Sequence, residues 1–338
     1  MQDKNRQTNL RTRRKAIIFI LILFGLIATA IPLAFRRILE FFNPVVPEPV
    51  REPFRFRLGK YIQGRPIREP DTAESFNFDL GNGIVIEMLS IPSGRFEMGS
   101  PDNEPGRSGA EGPQYSVIVS SFFMSRFPVT QAQWEAVANL PQVKRYLNPK
   151  PSTFDGLSRP VETISWEEAI EFCERLTERF KKFEYQFRLP SEAEWEYACR
   201  ANAEEATPFY FGETIAPDLA NYDVYYNYDG GPKGTSAEYQ GRTTLVNKYD
   251  AANAFGLADL HGNVWEWCAD SWHPNYVNAP VDGRVWDYNP NSSLNRVLRG
   301  GAWHDFPTNC RSAKRNRKSQ NFKSNTIGFR LACNNPTT

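Results

Sequence analysis

The sequence predicts a single loop-rich α+β domain that follows one N-terminal apolar segment. Three observations favour this class: the 338 residues include 22 Gly and 25 Pro, 14% of them are aromatic, and short apolar runs alternate with turn-forming residues. Such a mixture is typical of short strands joined by turns rather than of a helical bundle. With 41% hydrophobic residues the chain can build one large core, and we expect the domain to cover residues 76–335.

The individual elements are predicted from local patterns. Runs of β-branched and apolar residues at 83–91 and 115–123 lie between turn signals and predict strands. Three helices are expected to begin after Thr130, Ser165 and Ser191, because these side chains can accept hydrogen bonds from the free backbone NH groups of a first helical turn. Each serine is followed three residues later by glutamate, which is the spacing of a capping box.

Residues 16–35 contain no charged side chain and are predicted to form a transmembrane anchor. A helix that rises about 1.5 Å per residue needs about this length to cross a hydrocarbon core of about 30 Å. Residues 1–15 are rich in lysine and arginine. The positive-inside rule therefore places them in the cytoplasm and the domain on the extracytoplasmic side of the membrane.

A cleaved signal peptide is the alternative interpretation of the same segment. Ala28 and Ala30 fit a small-x-small cleavage pattern, and cleavage after Ala30 would release a secreted domain on the same side of the membrane. The following residues, 36–75, are rich in proline, which fixes φ and removes a backbone donor. They predict an extended spacer rather than a folded element.

Charge and residue counts exclude several classes of function. The net charge of +1 provides no overall field that would attract nucleic acid, so no nucleic-acid partner is expected. Three histidines are too few for a His-rich metal site. The five cysteines are too widely spaced for a CxxC motif, and their odd number leaves at least one without a partner within the chain.

Six short motifs resemble those of the formylglycine-generating enzyme (sulfatase-modifying factor) family. They are IPSGRFEMG at 91–99, PVT at 128–130, RLPSEAEWEY at 188–197, GLADLHGNVWEW at 256–267, RGGAW at 299–303 and IGFR at 327–330. They occur in the order that the family has. The resemblance implies a compact fold distantly like that of C-type lectins, and an oxygen-dependent, Cu(I)-using oxidase that converts a cysteine in a Cys-x-Pro-x-Arg segment of a sulfatase to formylglycine.

The resemblance also locates the family's catalytic cysteine pair, which is incomplete here. Asp305 stands at the first cysteine position and Cys310 at the second, and Ala302 replaces the serine after Gly300-Gly301. Because a carboxylate is a hard ligand, it cannot replace a thiolate for Cu(I). We therefore expect copper-dependent oxidation to be lost. The alternative function is a non-catalytic, membrane-anchored binding module that recognises a peptide or a glycan.

Two interpretations of Cys310 remain open at this point. Basic neighbours in the sequence, Arg311, Lys314 and Arg315, could lower the pKa of its thiol and make it reactive. A buried cysteine that acts as a small hydrophobic residue is the commoner case. Elsewhere, Cys173 and Cys333 lie approximately where family members have a bridge between a helix and the last strand, so the resemblance implies a possible disulfide.

A structural calcium ion is also implied by the resemblance. Its ligands would be the side chains of Asp259 and Glu266 and the carbonyls of Gly262 and Val264, and calcium prefers such oxygen donors. The alternative is a tight turn in which the two carboxylates accept backbone NH groups without metal. Asn221 and Tyr222 resemble part of a second calcium site, for which Glu238 is the nearest acidic residue.

A basic surface is predicted around the family's substrate groove. Its residues are Arg311, Lys314, Arg315, Arg317, Lys318 and Lys323. Such an excess of positive charge would attract an anionic ligand, peptide or glycan. The alternative is a solvated loop whose arginines pair with nearby acids. Trp265 and Trp303 are candidate groove residues, although tryptophans in such motifs more often belong to the core.

Overall fold

The computed structural model describes residues 46–201, 207–287 and 294–334. Glu48–Thr338 form one compact unit. Within the described ranges this unit contains three sheets and three α-helices, so the predicted α+β class is confirmed. Many loops separate the short elements, as the glycine and proline content predicts.

The largest sheet has six strands in the order β1-β2-β3-β6-β12-β7, and all neighbours are antiparallel. Its strands are β1 (Val50–Ile62), β2 (Arg65–Gly81), β3 (Ile84–Ile91), β6 (Phe122–Ser125), β7 (Phe187–Arg188) and β12 (Ala332–Cys333). The last strand therefore lies inside the sheet, between β6 and β7, and joins the end of the described chain to its middle.

Two smaller sheets complete the fold. The two-stranded sheet pairs β4 (Gly94–Met98) with β5 (Tyr115–Val119). The four-stranded sheet has the order β10-β9-β8-β11, with strands β8 (Trp265–Ser271), β9 (Asn295–Arg299), β10 (Arg315–Ser319) and β11 (Ile327–Gly328). Its β8 and β11 run parallel, and its other neighbours are antiparallel. The loop between β9 and β10 contains the motif at 299–303.

The three helices begin where the serine and threonine caps predict. They are α1 (Gln131–Ala138), α2 (Trp166–Phe180) and α3 (Glu192–Arg200). Thr130, Ser165 and Ser191 each accept a hydrogen bond from the backbone NH three residues later, and each helix has a complete capping box. Local signals within four residues therefore fix these three starts.

The prediction of an unfolded spacer at 36–75 is corrected for the part that the structure describes. β1 and β2 form a long hairpin whose register runs from Val50↔Asn77 to Ile62↔Arg65. Alternating apolar residues at Phe54, Phe56 and Leu58 give one face of β1 the period of a half-buried strand, and this face outweighs the prolines. Pro53 is tolerated because β1 is the outer strand of the sheet. Residues 36–45 lie outside the described residues.

The predicted membrane anchor at 16–35 and the cleavage site at Ala30 also lie outside the described residues. Among the residues that are described, no helix is both long and apolar enough to cross a bilayer.

Helix α3 lies at the centre of the domain and positions the loop between β9 and β10. Every residue of α3 is buried, including its three glutamates. Glu192 receives hydrogen bonds from Arg299 at 2.9 Å and from Arg315 at 2.6 Å. These arginines end β9 and begin β10, so both ends of the intervening loop are held against one helix.

Candidate functional site

The loop between β9 and β10 begins with two glycines that let it turn close to its own far end. Gly300 and Gly301 have φ values of +96° and +78°, which side-chain-bearing residues rarely adopt. A Cβ at Gly301 would lie 2.6 Å from Cys310 Sγ. The Gly-Gly pair is therefore required by a close contact across the loop.

Asp305 is bound on both carboxylate oxygens. Its Oδ2 accepts from Trp265 Nε1 at 2.7 Å and from the backbone NH of Ala302 at 3.0 Å. Its Oδ1 accepts from Asn309 Nδ2 at 3.1 Å. The side chain is mostly buried. Asp305 thus ties the turn of its own loop to the first residue of β8.

Cys310 is fully buried in an apolar cluster. Phe209, Ile215 and Tyr222 belong to the same cluster. Burial raises the pKa of the Cys310 thiol well above its usual value, and the negative charge of Asp305 raises it further. The expectation of a reactive, low-pKa thiol is therefore wrong, and the alternative of a buried hydrophobic cysteine is correct.

Asp305 and Cys310 do not fit a Cu(I) site. Both oxygens of Asp305 already accept hydrogen bonds, and burial raises the pKa of the Cys310 thiol, which disfavours the thiolate form. Cu(I) requires soft thiolate donors, and Asp305 supplies hard oxygen. In the described ranges, no three or more His, Cys, Asp or Glu side chains are grouped so that they could hold a metal ion.

The predicted basic groove is corrected at two of its arginines. Arg311 is completely buried and makes two parallel hydrogen bonds of 2.8 and 2.9 Å to Glu111, with a further ion pair to Glu104. Arg315 makes two parallel bonds of 2.6 and 2.8 Å to Glu192. The alternative, in which the arginines pair with acids, is therefore correct for Arg311 and Arg315.

The other predicted groove residues differ in exposure. Lys314 is half-exposed, and Trp265 is buried against Asp305. Trp303 is half-buried, and its Nε1 donates to the carbonyl of Asn325 at 3.2 Å. Its ring packs edge-to-face on Phe154 at 5.6 Å. Of the two predicted tryptophans, only Trp303 is accessible.

Partly exposed rings of the loop between β9 and β10, and of two segments that pack against it, form a group that we name the aromatic surface. Its members are Phe154, Tyr225, Tyr226, Trp303 and Phe306. Phe306 and Tyr226 are 47% and 48% exposed, and their ring centroids lie 4.3 Å apart. The segment that carries Tyr226 is joined to the loop that carries Phe306, because Asp223 donates its backbone NH to the Asp305 carbonyl at 2.9 Å. None of the motifs includes Tyr225 or Tyr226. The signal for them in the sequence is the tyrosine-rich run at 225–228.

The predicted calcium loop is a tight turn in which Glu266 is held by Arg330 and Trp195. Arg330 donates to both oxygens of Glu266, at 2.6 and 2.8 Å, and Trp195 Nε1 donates to one of them at 2.6 Å. Asp259 accepts the backbone NH of Asn247 at 2.7 Å. Burial raises the pKa of Asp259 to about 6.

The backbone of this loop is also occupied. The predicted ligand carbonyl of Gly262 accepts from the NH of Val264 at 2.9 Å. A Cβ at Gly262 would lie 2.1 Å from the carbonyl oxygen of Asn221, so only glycine fits. The oxygens of Glu266 and Gly262 thus already accept hydrogen bonds within the protein, as the alternative of a tight turn without metal predicts.

The tentative second site retains one suitable oxygen. Asn221 donates through Nδ2 to the Arg242 carbonyl at 3.0 Å and to Asn263 Oδ1 at 3.2 Å. Its buried Oδ1, like the buried hydroxyl of Tyr222, has no hydrogen-bond partner among the described residues. Glu238 instead accepts from the backbone and hydroxyl of Thr235, each at 2.8 Å.

The possible disulfide between Cys173 and Cys333 is not formed. Both are free thiols and both are buried, Cys173 in α2 and Cys333 in β12. Burial raises the pKa of each thiol, so both behave as small core residues.

Comparisons with known proteins agree with the motifs. The family model for the sulfatase-modifying factor enzyme 1-like domain matches residues 81–335. The chain is 26% identical over 301 residues to a formylglycine-generating enzyme of Mus musculus, covering 75% of this chain and 77% of that protein. It is 29% identical to the inactive C-alpha-formylglycine-generating enzyme 2 of Bos taurus, covering 75% of this chain and 90% of that protein.

A solved structure has the same fold. PvdO from Pseudomonas aeruginosa superposes with a TM-score of 0.63 at 30% identity, covering 77% of this chain and 98% of that chain. The family match starts at residue 81, at the end of β2, so β1 and nearly all of β2 precede it. The chain therefore belongs to the family of sulfatase-modifying factor enzyme 1-like domains.

Proposed function

We propose that this domain is a sulfatase-modifying-type protein that binds a cysteine-containing segment of a client protein without oxidising it through copper. The observation that carries the proposal is the state of the two family cysteine positions. At one, Asp305 accepts hydrogen bonds from Trp265 and Ala302; at the other, Cys310 is fully buried in an apolar cluster, which raises the pKa of its thiol. A loop in this state keeps its shape but has no pair of thiolates to offer to a soft metal.

The aromatic surface is the proposed contact for the client segment. Partly exposed aromatic rings supply large contact areas with few rotatable bonds, which favours peptide binding. Phe306 follows Asp305 in the loop and packs on Tyr226, and the resemblance to the family implies a substrate groove around this loop. The buried ion pairs of Arg299 and Arg315 with α3 hold this loop in place before any client arrives.

Binding is tested with a labelled Cys-x-Pro-x-Arg peptide and fluorescence anisotropy. We expect Phe306→Ala to weaken binding roughly tenfold, as is usual for an aromatic anchor. Phe322→Ala is the matched control, since Phe322 is also exposed but lies in the turn after β10. Equal effects of the two substitutions, or no binding by the unchanged protein, would contradict the proposal.

Chemistry is tested by incubating the domain with Cu(I), oxygen and the same peptide, followed by mass measurement. We expect the peptide thiol to remain and no aldehyde to form. Asp305→Cys restores sulfur at the first family position and is the informative variant. Aldehyde in that variant alone would assign the loss of oxidation to Asp305, whereas aldehyde with the unchanged protein would overturn the proposal.

A glycan is the alternative ligand, because the resemblance implies a fold like that of C-type lectins. The peptide is favoured here because two relatives are named as a formylglycine-generating enzyme and as an inactive form of one, and formylglycine is an amino-acid residue. A neutral oligosaccharide that displaces the labelled peptide would favour the glycan instead.

We further propose that a calcium ion, where bound, is held at Asn221 rather than at Glu266. The support is the unpaired Oδ1 of Asn221, whereas both oxygens of Glu266 already have partners. EGTA should then lower the melting temperature of the unchanged protein and leave that of Asn221→Ala unaltered. The same fall in both proteins would contradict this assignment.

We also propose that residues 16–35 anchor the chain in a membrane with the domain on the extracytoplasmic side. The uncharged run and the basic residues before it support this orientation. The full chain should then remain with the membrane fraction after alkaline washing, and a chain that begins at residue 38 should not. Recovery of a secreted product that starts at residue 31 would favour the cleaved signal peptide.

A further inference from the structure

Three cations lie together on a part of the surface that none of the motifs includes. We name Arg159, Arg242 and Lys248 the cationic cluster. Its two loops are joined because Val246 donates its backbone NH to the Ser158 carbonyl at 2.9 Å. The Arg159 guanidinium also donates to the carbonyl of Thr243, the residue after Arg242.

The positions of these cations are fixed by the interior. Asn221 Nδ2 donates a hydrogen bond to the carbonyl of Arg242 at 3.0 Å, and Asn263 Oδ1 accepts one from the NH of Thr244 at 2.9 Å. On the other loop, the side chain of Arg159 packs against Gly156, where a Cβ would lie 2.9 Å from Arg159 Cδ. The cluster is therefore built on a rigid support.

The cations of the cluster have no direct ionic partner. Among the described residues, none of the three forms an ion pair, and Lys248 Nζ donates to Gln240 Oε1 at 2.6 Å. Burial lowers the pKa of Arg159, and the nearby charge of Arg242 lowers it further. Burial also lowers the pKa of Lys248, and the charge of Arg159 adds to this effect. These mutual effects mean that the three charges act on one another at short range.

Lys248 shares a pocket with the carboxylates of Asp218, Glu238 and Asp250, so its charge is partly offset. Asp250 pairs with Arg57 at 3.3 Å, and Glu238 accepts from the neutral hydroxyl of Thr235 at 2.8 Å. Of the basic segment that the sequence indicates, Arg311 and Arg315 are neutralised by buried glutamates, whereas Arg317 and Lys318 are exposed. The cationic cluster is therefore a second place of exposed positive charge, separate in sequence from Arg317 and Lys318.

The cluster is coupled by one residue to the aromatic surface. The side chain of Asn263 binds Thr244, and its carbonyl accepts the NH of Trp303 at 3.1 Å. Two exposed leucines flank the cations: Leu157 is 64% exposed and Leu245 is 50% exposed. The arrangement is a patch of positive charge with apolar side chains at its border, linked through the buried Asn263 to the loop that carries Trp303.

We infer that the cationic cluster and its flanking leucines bind an acidic segment of the client protein that also carries apolar side chains. This inference rests on the proposed function and adds the class of sequence that the client should have beside its cysteine. Charge complementarity selects an acidic partner. The exposed leucines favour a peptide over a sulfated glycan, because a polyanionic sugar has no comparable apolar groups to cover them.

The test uses three labelled peptides with the same Cys-x-Pro-x-Arg centre. The first has no extension, the second has extensions of alternating acid and leucine at both ends, and the third has lysine in place of each acid. Affinities are measured by anisotropy at low and at physiological salt. We expect the acidic peptide to bind roughly tenfold more tightly than the unextended one, and the difference to shrink as salt is raised.

Two double variants locate the effect. Arg242→Glu/Lys248→Glu changes exposed side chains of the cluster and spares Arg159, which supports the loop. Lys182→Glu/Lys318→Glu makes the same change of charge at exposed positions elsewhere. We expect only the first variant to bind the acidic peptide no more tightly than the unextended one. Both variants should unfold as cooperatively as the unchanged protein does.

The outcomes separate the two proposals. Equal binding of all three peptides would overturn the acidic segment and leave the proposed function standing, whereas no binding of any peptide would overturn both. Equal loss in the two double variants would show a general charge effect and contradict the site. Displacement of the acidic peptide by a sulfated oligosaccharide at lower concentration than by the unlabelled peptide would overturn the peptide as occupant.

Discussion

Trp265 Nε1 donates a hydrogen bond of 2.7 Å to Asp305 Oδ2. This bond joins the first residue of β8 to the loop that follows β9, across 40 positions of sequence. The carboxylate at the first family cysteine position therefore has a defined structural role. It supplies the acceptor for a buried indole NH and closes the turn at Ala302.

The first prediction concerns this carboxylate. Asp305→Ala leaves the indole NH of Trp265 and the backbone NH of Ala302 without acceptors, and should lower the free energy of unfolding by about 1–3 kcal/mol. Asp305→Asn keeps one acceptor oxygen and should cost less. Urea denaturation measures both, and equal stabilities of all three proteins would show that the bonds contribute nothing.

How far the sequence predicts this site depends on where the partners lie. The helix caps at Ser165 and Ser191 were predictable because each bonds to a residue three positions away. The motif at 299–303 also indicated Asp305 and Cys310, which follow it closely in the sequence. The buried state of Arg311 was not predictable, since its partner Glu111 is 200 residues away in sequence. Composition alone cannot distinguish a buried ion pair of this kind from a solvated basic surface.

The hairpin shows a different limit. Prolines in the segment before residue 76 suggested a spacer, yet alternation at Phe54, Phe56 and Leu58 supplies a face that can be buried. Proline removes a donor, which matters in a central strand but little on an outer one. Whether a strand is outer or central is decided by pairing with distant segments, so the local pattern could not settle it.

The second prediction concerns the buried ion pair of Arg311. Arg311→Met removes the cation that faces Glu111 and Glu104, and should lower the free energy of unfolding by about 3–5 kcal/mol. Adding Glu104→Gln and Glu111→Gln removes the unpaired charges and should recover part of this loss. Denaturation of the single and triple variants checks this, and a triple variant less stable than the single one would contradict it.

The third prediction concerns Asp270, whose oxygens accept the backbone NH groups of Glu192 and Trp286 at 2.7 and 2.8 Å. Burial, aided by the charge of Glu192, raises its pKa to about 7. Because this pKa lies above the unfolded value of about 3.9, the contribution of Asp270 to stability is complete below about pH 4 and is lost as pH rises through about 7.

Asp270→Asn removes this titration. The unfolding free energy of the unchanged protein should therefore fall relative to that of the variant between about pH 4 and pH 8. The comparison with the variant is needed because His261, whose pKa burial lowers to about 3, changes stability in the opposite direction as pH rises. Parallel stability curves for the two proteins over this range would contradict the prediction.

The fourth prediction concerns the attachment of the hairpin to the rest of the domain. Gly59 donates its NH to the Ala252 carbonyl at 2.8 Å, and a Cβ at Gly59 would lie 2.7 Å from the Cβ of Ala251. Gly59→Val therefore forces β1 away from this contact, because neither backbone can be moved without losing hydrogen bonds. We expect faster hydrogen exchange at Tyr61, whose NH donates to the Phe211 carbonyl at 2.7 Å.

Gly64→Val is the control, since the position at the hairpin tip is open and the substitution strains only the turn. Exchange at Tyr61 that rises equally in both variants would mean that the tip, and not the contact with Ala251, determines how firmly the hairpin is held.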